Sequence, residues 1–186
     1  MPNYFNKTMI KNSMQYALYA FLTTLLLSFL FSLIKLNKTL ISIFNYLIFF
    51  IFIFLGTLIL RENFYNKNLS FYDFFISGAL ISLFTSLLFF SFTYIYYDII
   101  NPEGIEEIIR IQEESIHELN INETQATFIL DFFKKFITPI TISISVALNY
   151  IFFGILFSFI ASFFIKKKRE KENYKNNTNY MEENLN

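Results

Sequence analysis

Cysteine and tryptophan are both absent from this chain of 186 residues, and glycine and proline are scarce, with four and three copies. Without cysteine the chain cannot form a disulfide, a thiolate nucleophile, a cysteine-ligated metal site or a lipidated N-terminal cysteine. Glycine-rich phosphate loops, serine nucleophile motifs and zinc-binding patterns are missing as well. These absences predict a protein that is not an enzyme and that holds no cofactor.

Charged residues are absent from the interiors of four long apolar runs, at residues 14–34, 39–60, 74–97 and 137–165. About 20 helical residues cross the hydrocarbon core of a bilayer, so each run is long enough to span it. The predicted fold class is an all-α integral membrane protein, with residues 14–165 forming a single four-helix transmembrane domain. Proton relays usually need charged groups inside the membrane, which argues against a proton-coupled transporter or pump.

The lysines and arginines that flank these runs are distributed unequally, although the formal net charge of the chain is zero. Four crossings put the N-terminal segment 1–13 and the tail 166–186 on one side, and that side holds the larger number of basic residues. The positive-inside rule then places both termini in the cytoplasm and residues 98–136 outside, in a bacterial inner membrane. The tail is basic at first, and its Asn-rich and Glu-rich remainder is predicted to be disordered.

Small residues recur at every fourth position in three of the four runs, where they would let helix backbones approach closely. They are Ala20, Thr24 and Ser28 in the first run, Gly78, Ser82 and Ser86 in the third, and Gly154, Ser158 and Ser162 in the fourth. The second run has only Gly56, so we expect it to be the most lipid-exposed helix. Ser and Thr are also tolerated in membrane helices without such a role.

Two amides, Asn45 and Asn149, are the strongest polar groups within the runs. An amide in hydrocarbon costs free energy unless it is paired, so each is expected to face the bundle and to form an interhelical hydrogen bond. Substrate contact is the less favoured alternative.

The only histidine, His117, follows Glu114 at the Glu-x-x-His spacing that two helices contribute to di-iron carboxylate bundles. One copy supplies half a site at most, and no second histidine exists. The sequence therefore predicts no metal site.

Residues 98–136 are predicted to form an external, acidic, amphipathic helical insertion between the third and fourth spans. Asn101 followed by Pro102 is typical of a helix start, because Asn caps free amides and Pro fits the first turn. Asn122 resembles the first residue of a capping box for a second helix. Pro139, after Thr138, marks the start of the fourth span. The acidic first helix would be repelled by anionic lipid.

The order of these features resembles a bacterial membrane protein family, best known from Bacteroidetes, catalogued as domain of unknown function 4199. The similarity covers residues 14–168 and rests on Ser70-Phe71 with Phe75 and Gly78, Tyr94-Ile95-Tyr96-Tyr97, Ile100-Asn101-Pro102-Glu103, Lys134-Lys135-Phe136, a following proline and a terminal lysine run. The family typically has Asp at the position of Asn101 and a bulky apolar residue at that of Gly104. The resemblance implies four membrane helices and no established activity.

Three functions are compatible with these features. The favoured one is a non-enzymatic structural or interaction protein acting through the external insertion, with the lipid bilayer, a second copy of the chain or another membrane protein as partners, and no nucleic acid. The alternative is a small oligomeric channel or transporter subunit whose Ser and Thr residues line a path. An enzyme acting on a lipid-linked substrate through the insertion's carboxylates is the least favoured.

Overall fold

Six α-helices and one π-helical turn make up the computed structural model, which describes residues 7–34, 37–63, 69–118 and 122–183 and shows no strand among them. The helices are α1 (Lys7–Leu33), α2 (Lys38–Asn63), α3 (Phe71–Ile95), α4 (Glu103–Glu118), α5 (Glu123–Phe136) and α6 (Pro139–Glu183), and the π-helical turn is Tyr96–Ile100. The sequence predicts a break between two helices at Asn120-Ile121-Asn122, of which Asn120 and Ile121 lie outside the described residues.

Four segments are long and apolar enough to cross a membrane: Lys7–Leu33, Thr39–Glu62, Phe71–Ile100 and Pro139–Lys166. They overlap the four predicted runs, 14–34, 39–60, 74–97 and 137–165; the start of the first moves by seven residues and the other boundaries by at most three. Length and composition therefore indicate a membrane-embedded, multi-pass protein, as the sequence predicted.

Side-chain caps begin two of the spans, and neither was identified from the sequence. The Asn37 Oδ1 accepts the Thr39 N–H of α2 at 2.9 Å. Before α3, the Asp73 carboxylate accepts the Ser70 N–H at 2.7 Å, and the Ser70 hydroxyl accepts the Asp73 N–H at 3.4 Å. This reciprocal pair is a capping box, which satisfies backbone donors that the first turn leaves free.

The chain divides into two compact units, Met1–Thr85 with Tyr150–Asn186, and Ser86–Asn149. The core of the first unit comprises Ala17 and Ala20 of α1, Phe49 and Ile53 of α2, Ile81 of α3 and Ala161 of α6, all fully buried. Tyr150 packs edge-on against Phe49, with ring centroids 5.2 Å apart. Small residues on two helices thus make room for large ones on the others.

The prediction that α2 is the most lipid-exposed span is wrong. Within the most apolar part of each span, 28% of the α2 residues are buried, against 17% for α1 and 17% for α6. The reason is that α2 packs by inserting Phe49 and Ile53 rather than by aligning small residues. It approaches its neighbours at Gly56, where an added Cβ would lie 2.6 Å from Ile81 Cδ1 and 2.9 Å from Tyr16 Cγ.

The helix α6 continues to Glu183, through the tail for which the sequence predicted disorder. Its apolar part ends at Lys166. Beyond that point no proline or glycine occurs before Glu183 to end the helix.

In the second unit, α4 and α5 pack together through a small core of Ile116, Ala126 and Leu130, with Ile129 and Phe133 at its border. Lys134 Nζ of α5 lies 3.7 Å from Glu113 Oε1 of α4, and both side chains are well exposed. An exposed pair of this kind contributes about 0 to 1 kcal/mol, so the apolar contact is the main attachment between the two helices. We call α4 and α5 together the hairpin.

Candidate functional site

Two glycine and serine pairs face each other where α3 meets α6 in the first unit. A Cβ added to Gly78 would lie 2.6 Å from Ser158 Oγ and 3.2 Å from Ser158 Cα. Across the same contact, a Cβ added to Gly154 would collide with the Oγ and Cβ of Ser82. Each glycine therefore receives a serine of the opposite helix, and only hydrogen at both glycines permits this approach. We call this contact the glycine–serine crossing.

The serine hydroxyls of the crossing donate to carbonyls of their own helices. Ser82 Oγ bonds Gly78 O at 2.9 Å, Ser158 Oγ bonds Gly154 O at 2.6 Å, and Ser162 Oγ bonds Ser158 O at 2.6 Å. A hydroxyl bonded to the carbonyl four residues earlier has its donor satisfied without a partner helix or water. These serines act here as small packing residues.

The predicted small residues of α1 lie in different environments. Ala20 and Thr24 are buried, and the Thr24 Oγ1 has no hydrogen-bond partner among the described residues. Ser28 is partly buried and pairs with Asn45 of α2: the Asn45 Nδ2 donates to Ser28 Oγ at 2.9 Å, and the Ser28 hydroxyl lies 3.2 Å from Asn45 Oδ1. Asn45 thus makes the interhelical bond expected of an amide in a membrane helix.

Asn149, in contrast, is exposed on the surface of the chain, so the prediction that it faces the bundle is wrong. The register of α6 explains the difference. Asn149 precedes the buried Ser158 by nine residues, which is about two and a half helical turns, and residues half a turn out of phase point in opposite directions. Because α6 turns its small residues inward, its amide is directed outward.

Polar residues that the sequence analysis passed over are buried where α1, α2 and α3 meet. The Asn12 Nδ2 donates to Gly56 O at 2.9 Å, and the Ser13 hydroxyl lies 3.4 Å from Ser77 O. The Ser77 Oγ has no hydrogen-bond partner among the described residues although it is fully buried. These contacts join α1 to α2 and to α3 through backbone carbonyls, whose second lone pair can accept a bond in addition to that of the helix.

Arg61, in the last turn of α2, is only 7% exposed. In the sequence, Arg61 lies just beyond the predicted second run, 39–60, and its burial was not predicted. A cation in the last turn of a helix is favoured by the helix dipole, and its long apolar stem can lie along a packed surface. Its position directly after Leu60, the end of the apolar run, does not by itself indicate that the side chain is buried.

No cluster of three or more metal-ligating side chains occurs among the residues that the structure describes. Glu114 is exposed and lies 4.0 Å from Arg110 Nε on the same helix. The backbone of His117 is helical, but its side chain lies outside the described part of the chain.

A compact turn connects α3 to α4 in the second unit. The Asn101 N–H donates to Tyr96 O at 2.7 Å, which closes the wide π-helical turn. The side chain of Asn101 donates from Nδ2 to Tyr96 Oη at 3.3 Å, and the backbone carbonyl of Asn101 accepts the Gly104 N–H at 3.1 Å. Asn101 thus bonds through its side chain to the helix before it, rather than to the α4 amides expected of a cap. Pro102 is exposed and directly precedes α4.

Gly104 is buried against this turn. A Cβ added to it would lie 2.7 Å from Asn101 Nδ2 and 3.1 Å from Tyr97 Cε1. The family typically has a bulky apolar residue at this position. In this chain, such a side chain would require the Asn101 side chain to move.

An open cavity of about 570 Å³ lies along the first turns of α4. Its lining is strongly polar and comprises Asn101, Glu103, Gly104, Glu106, Glu107 and Arg110. Glu103, Glu106, Glu107 and Arg110 are all exposed. We call this surface the acidic cavity; its three carboxylates outnumber its one guanidinium, so it can attract cationic groups.

The remaining predicted caps lie at the two ends of α5. Asn122 immediately precedes α5, and its Oδ1 accepts the Thr124 N–H at 3.2 Å. Pro139 is the first residue of α6, and the side chain of Thr138 accepts the Thr141 N–H at 3.3 Å. In return, the Thr138 N–H donates to Thr141 Oγ1 at 2.9 Å. The role of Thr141 was missed, although Thr-x-x-Thr is a variant of the capping-box spacing.

Comparison with curated proteins gave no match, and comparison with solved structures gave none either. A family model described as "Protein of unknown function (DUF4199)" matches residues 11–167, which is most of the chain and includes the hairpin, three of the apolar spans and all but the first four residues of the other. The resemblance noted in the sequence is therefore confirmed: the protein belongs to the DUF4199 family.

Proposed function

We propose that the protein is a non-enzymatic membrane protein that binds a partner protein with basic groups through the acidic cavity of its hairpin. The observation that carries this proposal is the cavity itself, a concave surface with three exposed carboxylates on a segment with its own small core. A cluster of like charges steers and orients an oppositely charged partner.

The proposal includes a location. The positive-inside rule assigns both termini to the cytoplasm of a bacterial cell and the hairpin to the outer side of its inner membrane. The partner is then a protein of that external compartment, another membrane protein or a second copy of this chain. An amphipathic hairpin held at the membrane by two flanking spans is suited to such a contact.

Site-specific photocrosslinking tests the proposal. A photoreactive residue at Glu107, in the cavity, should give a discrete crosslinked species in intact membranes. The matched control is the same photoreactive residue at Asp131, which is exposed on α5 of the same hairpin but does not line the cavity. Crosslinking from Glu107 should fall when Glu103 and Glu106 are replaced by Lys.

Equal crosslinking from both positions, or capture that survives the Lys replacements, would refute a binding role for the acidic cavity. Mass spectrometry of the species then distinguishes a second copy of the chain from a different protein.

The alternative, a channel or transporter subunit lined by Ser and Thr, has less support. Ser82 and Ser158 are in contact with glycines of the opposite helix, and their hydroxyls bond to their own helices. Flux through reconstituted vesicles tests it, with the wild type compared with Asn149→Leu. If the wild-type protein conducts no ion or small solute, this alternative is excluded.

A further inference from the structure

The exposed surface of α5 carries a row of three phenylalanines that no described part of the chain covers. Phe128, Phe132 and Phe136 have exposed fractions of 73%, 53% and 51%. They are spaced four residues apart, so they lie along one face of the helix. Phe132 and Phe136 stack on each other with ring centroids 4.3 Å apart. We call this row the phenylalanine stripe.

The stripe is separate from the surface by which α5 packs on α4. That packing surface comprises Ala126 and Leu130, which are buried against Ile116. A third face of α5 is polar and carries Thr124, Asp131 and Lys134, all exposed. The helix therefore has one face that packs in the hairpin core, one polar face and one aromatic face. No described part of the chain explains why the aromatic face is apolar.

The position of α5 along the chain identifies what covers the stripe. Only Ile137 and Thr138 separate Phe136 from Pro139, where the apolar span of α6 begins. An extended residue spans at most about 3.6 Å, so the end of the stripe lies within about 10 Å of the start of the span. A span that begins at the hydrocarbon boundary therefore keeps the Phe136 end of the stripe near the headgroup layer.

The charges beside the stripe fit a lipid surface as well. Lys135 is exposed and precedes Phe136, so its ammonium group can reach headgroup phosphates while its stem lies along the stripe. The carboxylates of the acidic cavity are on α4, which anionic lipid would repel. Aromatic and basic groups on α5 with acidic groups on α4 give the hairpin a lipid-facing helix and a water-facing helix.

From this arrangement we infer that α5 is an interfacial helix, with the phenylalanine stripe inserted into the bilayer at the boundary between headgroups and acyl chains. Helices of this kind bury their apolar face about 5–10 Å into that boundary. The membrane would hold the hairpin against its surface in addition to the covalent connection to α6. This inference does not depend on the partner proposed for the acidic cavity.

Fluorescence quenching by brominated lipid tests the inference, because the natural chain contains no tryptophan. The full-length Phe132→Trp variant is reconstituted into vesicles of phosphatidylethanolamine and phosphatidylglycerol that contain a phosphatidylcholine brominated near the carbonyl end of its acyl chains. Asp131→Trp, the neighbouring residue on the polar face, is the matched control. Red-edge excitation selects the indole over the twelve tyrosines.

The Phe132→Trp variant should emit at shorter wavelength than Asp131→Trp, lose about half or more of its intensity to the brominated lipid, and be protected from aqueous acrylamide. The control should show the reverse pattern. Bromine near the methyl end of the chain should quench the Phe132→Trp emission less than bromine near the carbonyl.

Two results would overturn the inference. Equal acrylamide quenching of both variants would mean that the stripe faces water. Protection of the Phe132→Trp indole from acrylamide without quenching by brominated lipid would mean that protein covers the stripe. Circular dichroism spectra like that of the wild type establish that each variant is folded, and Phe128→Trp provides a second reporter on the stripe.

Discussion

At the scale of single residues, the close approach of α3 and α6 at the glycine–serine crossing depends on the absence of a Cβ atom at each glycine. Membrane helices gain little from the hydrophobic effect when they associate, so close packing supplies most of their attraction. At Gly78, the nearest atoms to an added Cβ include the backbone Cα of Ser158 at 3.2 Å. A side chain could rotate away from such a contact, but a backbone atom moves only if the whole helix moves.

Gly78→Ala should therefore destabilise the protein by about 1–3 kcal/mol, the usual cost of overpacking a well-packed contact. The measurement is unfolding of the purified protein in mixed detergent micelles, followed by circular dichroism. Ser91→Ala, at an exposed position of the same helix, should have little effect.

A double variant separates this steric effect from a general effect on α3. Ser158→Gly removes the Cβ and Oγ that an alanine at position 78 would meet, so the two substitutions together should cost less than the sum of their separate costs. If the two costs are additive, the contact between residues 78 and 158 is not the cause of the destabilisation by Gly78→Ala.

At the scale of secondary-structure elements, the start of α6 is determined by a short sequence, Thr138-Pro139-Ile140-Thr141. The Thr138 hydroxyl accepts the Thr141 N–H, and the Thr141 hydroxyl accepts the Thr138 N–H. Pro139 has no N–H to satisfy. At the start of α6, the N–H groups of Thr138, Thr141 and Ile142 are thus satisfied and Pro139 has none, which lowers the cost of beginning a helix at a membrane.

Thr138→Val keeps the shape of the side chain but removes the hydroxyl that accepts the Thr141 N–H. The loss of a cap of this kind costs about 1 kcal/mol. Hydrogen exchange of the amides at the start of α6 should accelerate about fivefold, as measured by mass spectrometry of the reconstituted protein. Thr124→Val, at an exposed position of α5, serves as the control. If the exchange rate at the start of α6 is unchanged, the Thr138 hydroxyl does not stabilise this turn, and its stability comes from Pro139 instead.

The sequence predicted elements better than it predicted contacts, and the reason is physical. Spans and caps depend on residues close together in the chain, so the apolar runs, Asn122 and Pro139 could be read directly. Burial depends on which face of a helix meets which neighbour. The exposure of Asn149, the burial of Arg61 and the packing of α2 through Phe49 and Ile53 all follow from helix register and partner choice, which no local pattern encodes.

At the scale of the whole molecule, orientation in the membrane decides which compartment the acidic cavity faces. From the unequal distribution of flanking lysines and arginines we predict that it faces the outside of the cytoplasm. The complete absence of cysteine makes this prediction easy to test, since any thiol reactivity comes from the residue introduced.

Ser115→Cys, at an exposed position of α4, should react with a membrane-impermeant maleimide in intact spheroplasts. Lys7→Cys, at the exposed start of α1, should react only after the membrane is opened. The opposite pattern of reaction would mean that the termini are outside the cytoplasm and the hairpin is inside it. The partner of the acidic cavity would then be sought in the cytoplasm.

The cap at Thr138 and Thr141 also has a mechanical consequence for the protein. The Thr141 hydroxyl donates to the carbonyl of Phe136, the last residue of α5, so one side chain of α6 is tied to both sides of the bend. Opening this bend breaks the bond from Thr141 to Phe136 as well as the cap between Thr138 and Thr141. The angle between α5 and α6 therefore costs free energy to change, by about 1 kcal/mol for each bond lost.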